Sequence, residues 1–242
     1  MHVVSIAPEM RGVFPPDPGA GTWEPMDEAT AEKLQRLFDA ERAVRETHED
    51  LCRKGDSLLP ALSAAIEAAR KESEAERTLR LVRVAELLGE IGGAEAVDRL
   101  VDLLGEDASE VRVVAGESLE EMAYTRFKEV ALGVERALAR LPPEHPALCE
   151  LPYLLAEVPE PGAAKLVRRF LSLSHPEPVA AAIEALVELG EPDGAGALRA
   201  LSKDKRTVNL EGDEGEGGTV TIGELASEAA ALLERIGHEA KR

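Results

Sequence analysis

Large aromatic side chains are scarce: one Trp, two Tyr and four Phe in 242 residues. Such rings carry much of the burial in a deep globular core, so their near-absence argues against one. Cysteine is almost missing. Cys52 and Cys149 stand far apart and outside any C-x-x-C spacing, which fits two unpaired thiols in a reducing compartment. No apolar run approaches the roughly 18 residues that a membrane-spanning helix needs. The opening M-H-V-V-S-I-A is too short for a signal core and has no basic flank. A cytoplasmic protein without membrane association is expected. Positive charge is short as well. Against 47 acidic residues stand 28 basic ones, a formal net charge of −19. A field of that sign opposes phosphate backbones, whose affinity comes from Lys and Arg displacing counterions, and anionic lipid surfaces likewise. Nucleic-acid and membrane partners are therefore not expected, and acidic helix faces keep an Ala-rich chain in solution.

Ala and Leu dominate instead, two of the strongest helix formers. An apolar helix-like stretch closing on small residues recurs. L-R-L-V-R-V-A-E-L-L-G-E-I-G ends at Gly92, V-A-A-A-I-E-A-L-V-E-L-G at Gly190, and L-A-S-E-A-A-A-L-L-E-R-I-G at Gly237. Two degenerate copies close near Ala123 and Val158. The steps are about 31, 35, 32 and 47 residues, within the period range of stacked helical repeats. An all-α fold follows, a solenoid of helix pairs whose work is done by a surface.

Residues 1–26 hold Pro8, Pro15, Pro16, Pro18 and Pro25, and proline's fixed φ and missing donor predict an extended arm. Trp23 offers an anchor for that arm or a contact for a partner. Asp27 or Thr30 caps a helix running to about Cys52, Gly55 breaks it, and a second helix with Leu58, Leu59, Leu62 and Ile66 follows. Residues 27–78 thus read as a capping helical hairpin, and residues 79–242 as repeats. Their pairs are Leu79–Ile91 with Ala94–Leu104, Ser109–Tyr124 with Phe127–Leu141, His145–Val158 with Ala163–Leu173, and Pro178–Leu189 with Ala195–Lys203. A last helix, Ile222–Ile236, closes the chain. Proline and glycine fall at the helix ends, where helix physics tolerates them.

The segment G-E-D-A-S-E-V-R-V-V-A-G-E-S-L places Asp107, Val111, Arg112, Ala115 and Leu119 on the pattern D-…-V-R-x-x-A-x-x-A-L. On these residues the chain resembles the HEAT-repeat family, most of all the short bacterial type first recognised in phycobilisome lyases, over roughly residues 79–237. The resemblance implies a right-handed α-solenoid in which Asp107 and Arg112 belong to a ladder tying neighbouring repeats. In the fourth pair His175 stands near the Asp position and Ala180 near that of the Arg, so the ladder is expected to be mostly lost. The family spans scaffolds, lyases, nucleic-acid enzymes and regulators, so its fold implies no single function.

Motifs for chemistry are weak. His48-Glu49 and His238-Glu239 are H-E pairs, the ligand type of HEAT-type deoxyhypusine hydroxylases, but those need several pairs at matching repeat positions. No metal site is expected, and no cofactor. Cys149 sits among Leu148, Leu151 and Leu155 and reads as a core thiol. G-D-E-G-E-G-G lacks the Lys of a phosphate loop. A bilin pocket would want aromatic walls and basic groups, which the chain lacks, yet a lyase-like HEAT enzyme acting on a protein-bound chromophore stands as the alternative function.

The first reading is a non-catalytic scaffold or regulatory adaptor that binds another protein on a concave face. Lys165, Arg168, Arg169, Arg199 and Lys203 lie opposite the apolar positions of the inner helices, so they either pair with local carboxylates or dock an acidic segment. The long final step matches residues 207–222, where T-V-N-L and T-V-T-I are β-branched and flank a Gly- and acid-rich stretch. A β-hairpin-like insertion is expected, its tip carrying Glu211, Asp213, Glu214 and Glu216. That tip reads as an acidic loop, a partner-contacting finger or a Ca²⁺ site.

Overall fold

Helix starts and stops follow local chemistry closely in the computed structural model, which describes residues 27–210 and 218–239. The Pro-rich arm with Trp23, and the acidic tip with Glu211, Asp213, Glu214 and Glu216, lie outside the described residues. Helix α1 (Glu28–Cys52) opens on the expected cap. Asp27 accepts the Thr30 amide at 2.9 Å and the Thr30 hydroxyl at 2.7 Å, satisfying one of the free amides of a helix start.

The chain divides into two compact units between Glu46 and Thr47, inside α1, whereas the sequence reading placed its boundaries at 26/27 and 78/79. In the first unit α1 buries no residue, and Leu34, Leu37, Phe38 and Val44 stay exposed. The apolar face expected of a capping hairpin is not formed by those residues.

The second unit runs from Thr47 onward. A 3₁₀ turn at Gly55–Leu58 leads into α2 (Leu59–Ala69), followed by α3 (Glu74–Ile91) and α4 (Ala94–Leu103). Helix α3 starts five residues before the apolar stretch does, because Glu74 and Glu76 suit the positive end of a helix. Two glycines end it, Gly92 at φ 70° and Gly93 at φ 89°, a region that side chains with a Cβ avoid. Helix α5 (Ser109–Arg140) is bonded throughout, but Arg126 departs from helical geometry with φ −141° and ψ 44°. That kink falls between Tyr124 and Phe127, where two helices were expected.

Pro142-Pro143 then separates α5 from α6 (Ala147–Ala156), and α7 (Ala163–Phe170) follows. Helix α8 (Pro176–Leu189) has proline in its first turn and a left-handed Gly190 at its end. Helix α9 (Ala195–Ala200) stops short of the expected Lys203. Strands β1 (Thr207–Leu210) and β2 (Gly218–Thr221) pair antiparallel, Thr207 opposite Thr221 and Val208 opposite Val220. The expected insertion is therefore a hairpin, and Val208 is buried, with β1 packed on α8.

Helix α10 (Ile222–Glu239) starts on a reciprocal cap. Glu224 accepts the Thr221 amide at 2.9 Å, and the Thr221 hydroxyl accepts the Glu224 amide at 3.2 Å. The Thr221 amide, and then its hydroxyl at 2.7 Å, both donate to the Glu224 carboxylate and hold it below its usual range.

Packing is helix on helix, running mainly from each helix to the next and the next but one: α3 on α2, α4 and α5, α6 on α5, α7 and α8, α10 on α8 and α9. The core is Leu, Val and Ala, with Phe170 its largest fully buried side chain, and no charged residue is buried among the described residues. Small residues permit the close approaches. A Cβ on Gly133 of α5 would sit 2.2 Å from Val97 Cγ1 of α4.

Candidate functional site

The five cations expected on the concave face separate into two groups. Arg169 on α7 pairs with Glu135 on α5 at 2.5 Å, and Arg199 on α9 pairs with Glu234 on α10. Lys165, Arg168 and Lys203 form no ion pair among the described residues; Lys165 and Lys203 are exposed and Arg168 is half-buried.

Arg169 belongs to a wider series of bonds between segments distant in sequence. Arg70 reaches Glu106 at 2.8 Å, Arg99 donates to the Ser63 hydroxyl at 3.1 Å, and Arg136 grips both oxygens of Asp98 at 2.9 and 3.0 Å. The partners in this series lie 34 to 38 residues apart in sequence. That interval is close to the spacing of the recurring apolar stretches in the sequence. Each exposed pair contributes only about 0–1 kcal/mol.

Asp107 and Arg112 do not take part in that series. Arg112 donates to the carbonyls of Glu106 and Asp107, at 3.0 and 2.8 Å, so it closes the turn before its own helix. Ahead of α8, where the resemblance set Ala180 in the place of such an arginine, Arg206 arrives from the α9–β1 link. It donates to the carbonyls of Leu173 and Ser174 at 2.6 and 2.8 Å. Asp204 holds that guanidinium, and the pairing keeps the Asp204 carboxyl below its ordinary range. A guanidinium from a segment 33 residues away thus closes the turn before α8, a contact invisible to position-by-position reading.

The more promising concavity lies between the first half of α5 and α6. A groove of about 390 Å³ is lined by Leu104, Val113, Gly116, Tyr153 and Leu154 on its apolar side. Glu120, Glu150 and Glu157 stand around it, with Ser109 and Arg112. Val113 is 56% exposed and Tyr153 40%. Tyr153 donates its hydroxyl to Glu184 on α8 at 2.6 Å, and burial, then that bond, pushes its pKa far above the usual phenol range. Tyr124, itself exposed, donates to the Glu157 carbonyl at 2.9 Å and fixes the groove's rim.

No family model matches this chain, and no curated protein matches it. Two engineered proteins of known crystal structure, both from the Northeast Structural Genomics Consortium, are similar to it at a low level. One is 18% identical over 79% of this chain and 90% of its own, with a TM-score of 0.31. The other is 16% identical over 76% of this chain and 54% of its own, also at 0.31. Neither likeness bears on what this chain does.

Two features escaped the sequence reading. Val113 and Tyr153 sit at positions where helical periodicity assigns no outward role to an apolar residue, and only the juxtaposition of α5 with α6 makes them neighbours. The other is a cluster at the C-terminal ends of α1 and α3. His48 Nε2 lies 2.8 Å from Glu90 Oε1, and the Cys52 thiol donates to the same carboxylate. Burial first, then Glu90, pushes the Cys52 thiol up to about 11. The Glu90 carboxyl is lowered, by Cys52 foremost and His48 next. The i, i+4 spacing of His48 and Cys52 was legible; their partner 38 residues beyond Cys52 was not.

Proposed function

We propose that this chain is a non-catalytic scaffold or regulatory adaptor, a right-handed stack of HEAT-like helical pairs that binds another protein. Bonds recurring at one repeat step, from Arg70–Glu106 to Arg169–Glu135, support the stacked reading, as does packing confined mainly to neighbouring helices. Such architectures work through extended surfaces.

The observation that carries the binding reading is the groove of Val113 and Tyr153. Exposed apolar side chains scattered singly mean little. Two beside each other in a carboxylate-rimmed concavity have the makeup of an interface centre, where tyrosine is enriched. With Glu120, Glu150 and Glu157 around it, and Arg112 committed to backbone carbonyls, the groove suits a segment that inserts an apolar anchor and presents flanking Lys or Arg. The partner chemistry is thus opposite in sign to that expected from the cations on α7 and α9.

A selection of displayed random dodecapeptides against the whole chain tests this reading. Enriched peptides should share an aliphatic or aromatic anchor beside basic residues, and Val113→Glu should release them with helicity unchanged. Peptides retained equally by Val113→Glu would refute the groove. Enrichment of acidic peptides released by Lys165→Glu with Arg168→Glu would move docking to the second reading, which the unpaired Lys165, Arg168 and Lys203 favour.

A further inference from the structure

We propose that His48, Cys52 and Glu90 form a binding site for a divalent transition-metal ion of the zinc type, with the fourth coordination position open. The observation is separate from the groove and does not depend on the scaffold reading.

The three side chains come from two helix ends in the second compact unit. The last turn of α1 places His48 and Cys52 four residues apart, so both project from one helical face. The last turn of α3 brings Glu90 to them. One ligand atom from each residue lies within 4.8 Å of the other two. Ligands bonded to a tetrahedral ion at about 2.0–2.3 Å are separated by roughly 3.3–3.8 Å. The cluster therefore closes on an ion by side-chain rotation, without moving the helices.

The donor set has selective chemistry. One imidazole nitrogen, one sulfur and one carboxylate oxygen match borderline ions such as Zn²⁺ and Co²⁺, whereas Ca²⁺ and Mg²⁺ require oxygen shells. Charge balance fits as well: a thiolate, a carboxylate and a neutral imidazole neutralise a dication. Binding forms the metal–sulfur bond, and the Cys52 thiol proton passes to solvent; no electron transfer is involved. His48 is 19% exposed at its side chain and Glu90 60%, so the site has a sheltered side and an open one. Glu90 also borders a carboxylate-lined hollow of about 240 Å³, shared with Glu86, Glu117 and Glu121, whose negative charge attracts cations toward it.

Without a metal the same residues would serve only as a hydrogen-bonded tie between helix ends, and the experiment separates the two roles. The full chain, purified from a chelator, is titrated with Co²⁺ and followed by absorption. The expected result is saturation at one equivalent, with a thiolate-to-cobalt charge-transfer band and the intense visible bands of a four-coordinate ion. Cys52→Ser and His48→Ala should abolish the charge-transfer band and weaken binding at least tenfold, with Cys149→Ser unchanged. Zn²⁺ should displace the Co²⁺ and raise Tm in the parent chain and Cys149→Ser but not in Cys52→Ser or His48→Ala, by mass action. Absence of the band in the parent chain, or its survival in Cys52→Ser, overturns the proposal whatever the stability of the variants.

Discussion

Gly133→Ala probes the contact on which the α4–α5 packing turns. The added methyl group would lie 2.2 Å from Val97 Cγ1, far inside contact distance, and Val97 is fully buried. Replacing a helix-interior glycine with alanine by itself stabilises by about 1 kcal/mol through lost unfolded-state freedom. Overpacking a tight core costs about 1–3 kcal/mol. The net expectation is a loss of up to about 2 kcal/mol. Val97→Ala alone removes two methyl groups and should cost about 2 kcal/mol. Combined, the substitutions compensate, because the new methyl occupies the space that Cγ1 vacates and next meets Val97 Cβ at 3.3 Å. The double variant should then be more stable than the sum of the singles by at least about 1 kcal/mol, the range of coupling between touching residues. Urea unfolding followed by circular dichroism measures this, provided the three variants share one m-value. Additivity within about 0.5 kcal/mol, or a stabilised Gly133→Ala, would show that α5 does not approach α4 as described.

The remaining predictions concern chemistry and the hairpin. In a Cys52→Ser background, Cys149 is the sole thiol, and burial, then the charges of Glu177 and Glu150, push it up to about 11. Its alkylation rate should keep rising to about pH 11, and a plateau near the ordinary thiol range would refute the burial. The same shift has a stability consequence. Between the unfolded thiol range and about 11 the folded chain holds the proton that the unfolded chain has lost, so stability should fall as pH rises through that window. On the acid side the signs reverse. Asp204 and Glu224 are depressed in the folded chain, so their contribution is present above the unfolded carboxylate range and lost as pH falls through the folded values. Replacing residues 211–217 with a short Gly-Ser link should leave Tm nearly unchanged, because the strand pairs from Thr207–Thr221 inward remain. Val208→Asp, which buries a charge against α8, should lower Tm sharply; equal effects of the two changes would contradict the hairpin's packing.

Local chemistry was enough to place the helices. Glycine at positive φ, proline in a first turn and the Asp27 cap act within a few residues of chain, so α3, α8 and the kink between Tyr124 and Phe127 were legible before any tertiary contact was known. The β-branched runs around residues 207 and 219 announced a hairpin for the same reason. The spacing of the apolar helical stretches was legible too, since periodicity is a property of one chain read along its length. Burial was not. Leu34 and Phe38 carry helical spacing yet stay exposed, because a face is buried only by what packs on it. Partner choice was beyond the sequence as well. Arg169 takes Glu135 rather than any of the other acidic residues, Arg206 closes a turn 33 residues back, and Glu90 joins His48 and Cys52. Charge and spacing determine that such groups need partners. Only the approach of one helix to another decides which partners they find, because electrostatic and hydrogen-bond energies fall off within a few ångströms while the candidates lie far apart along the chain.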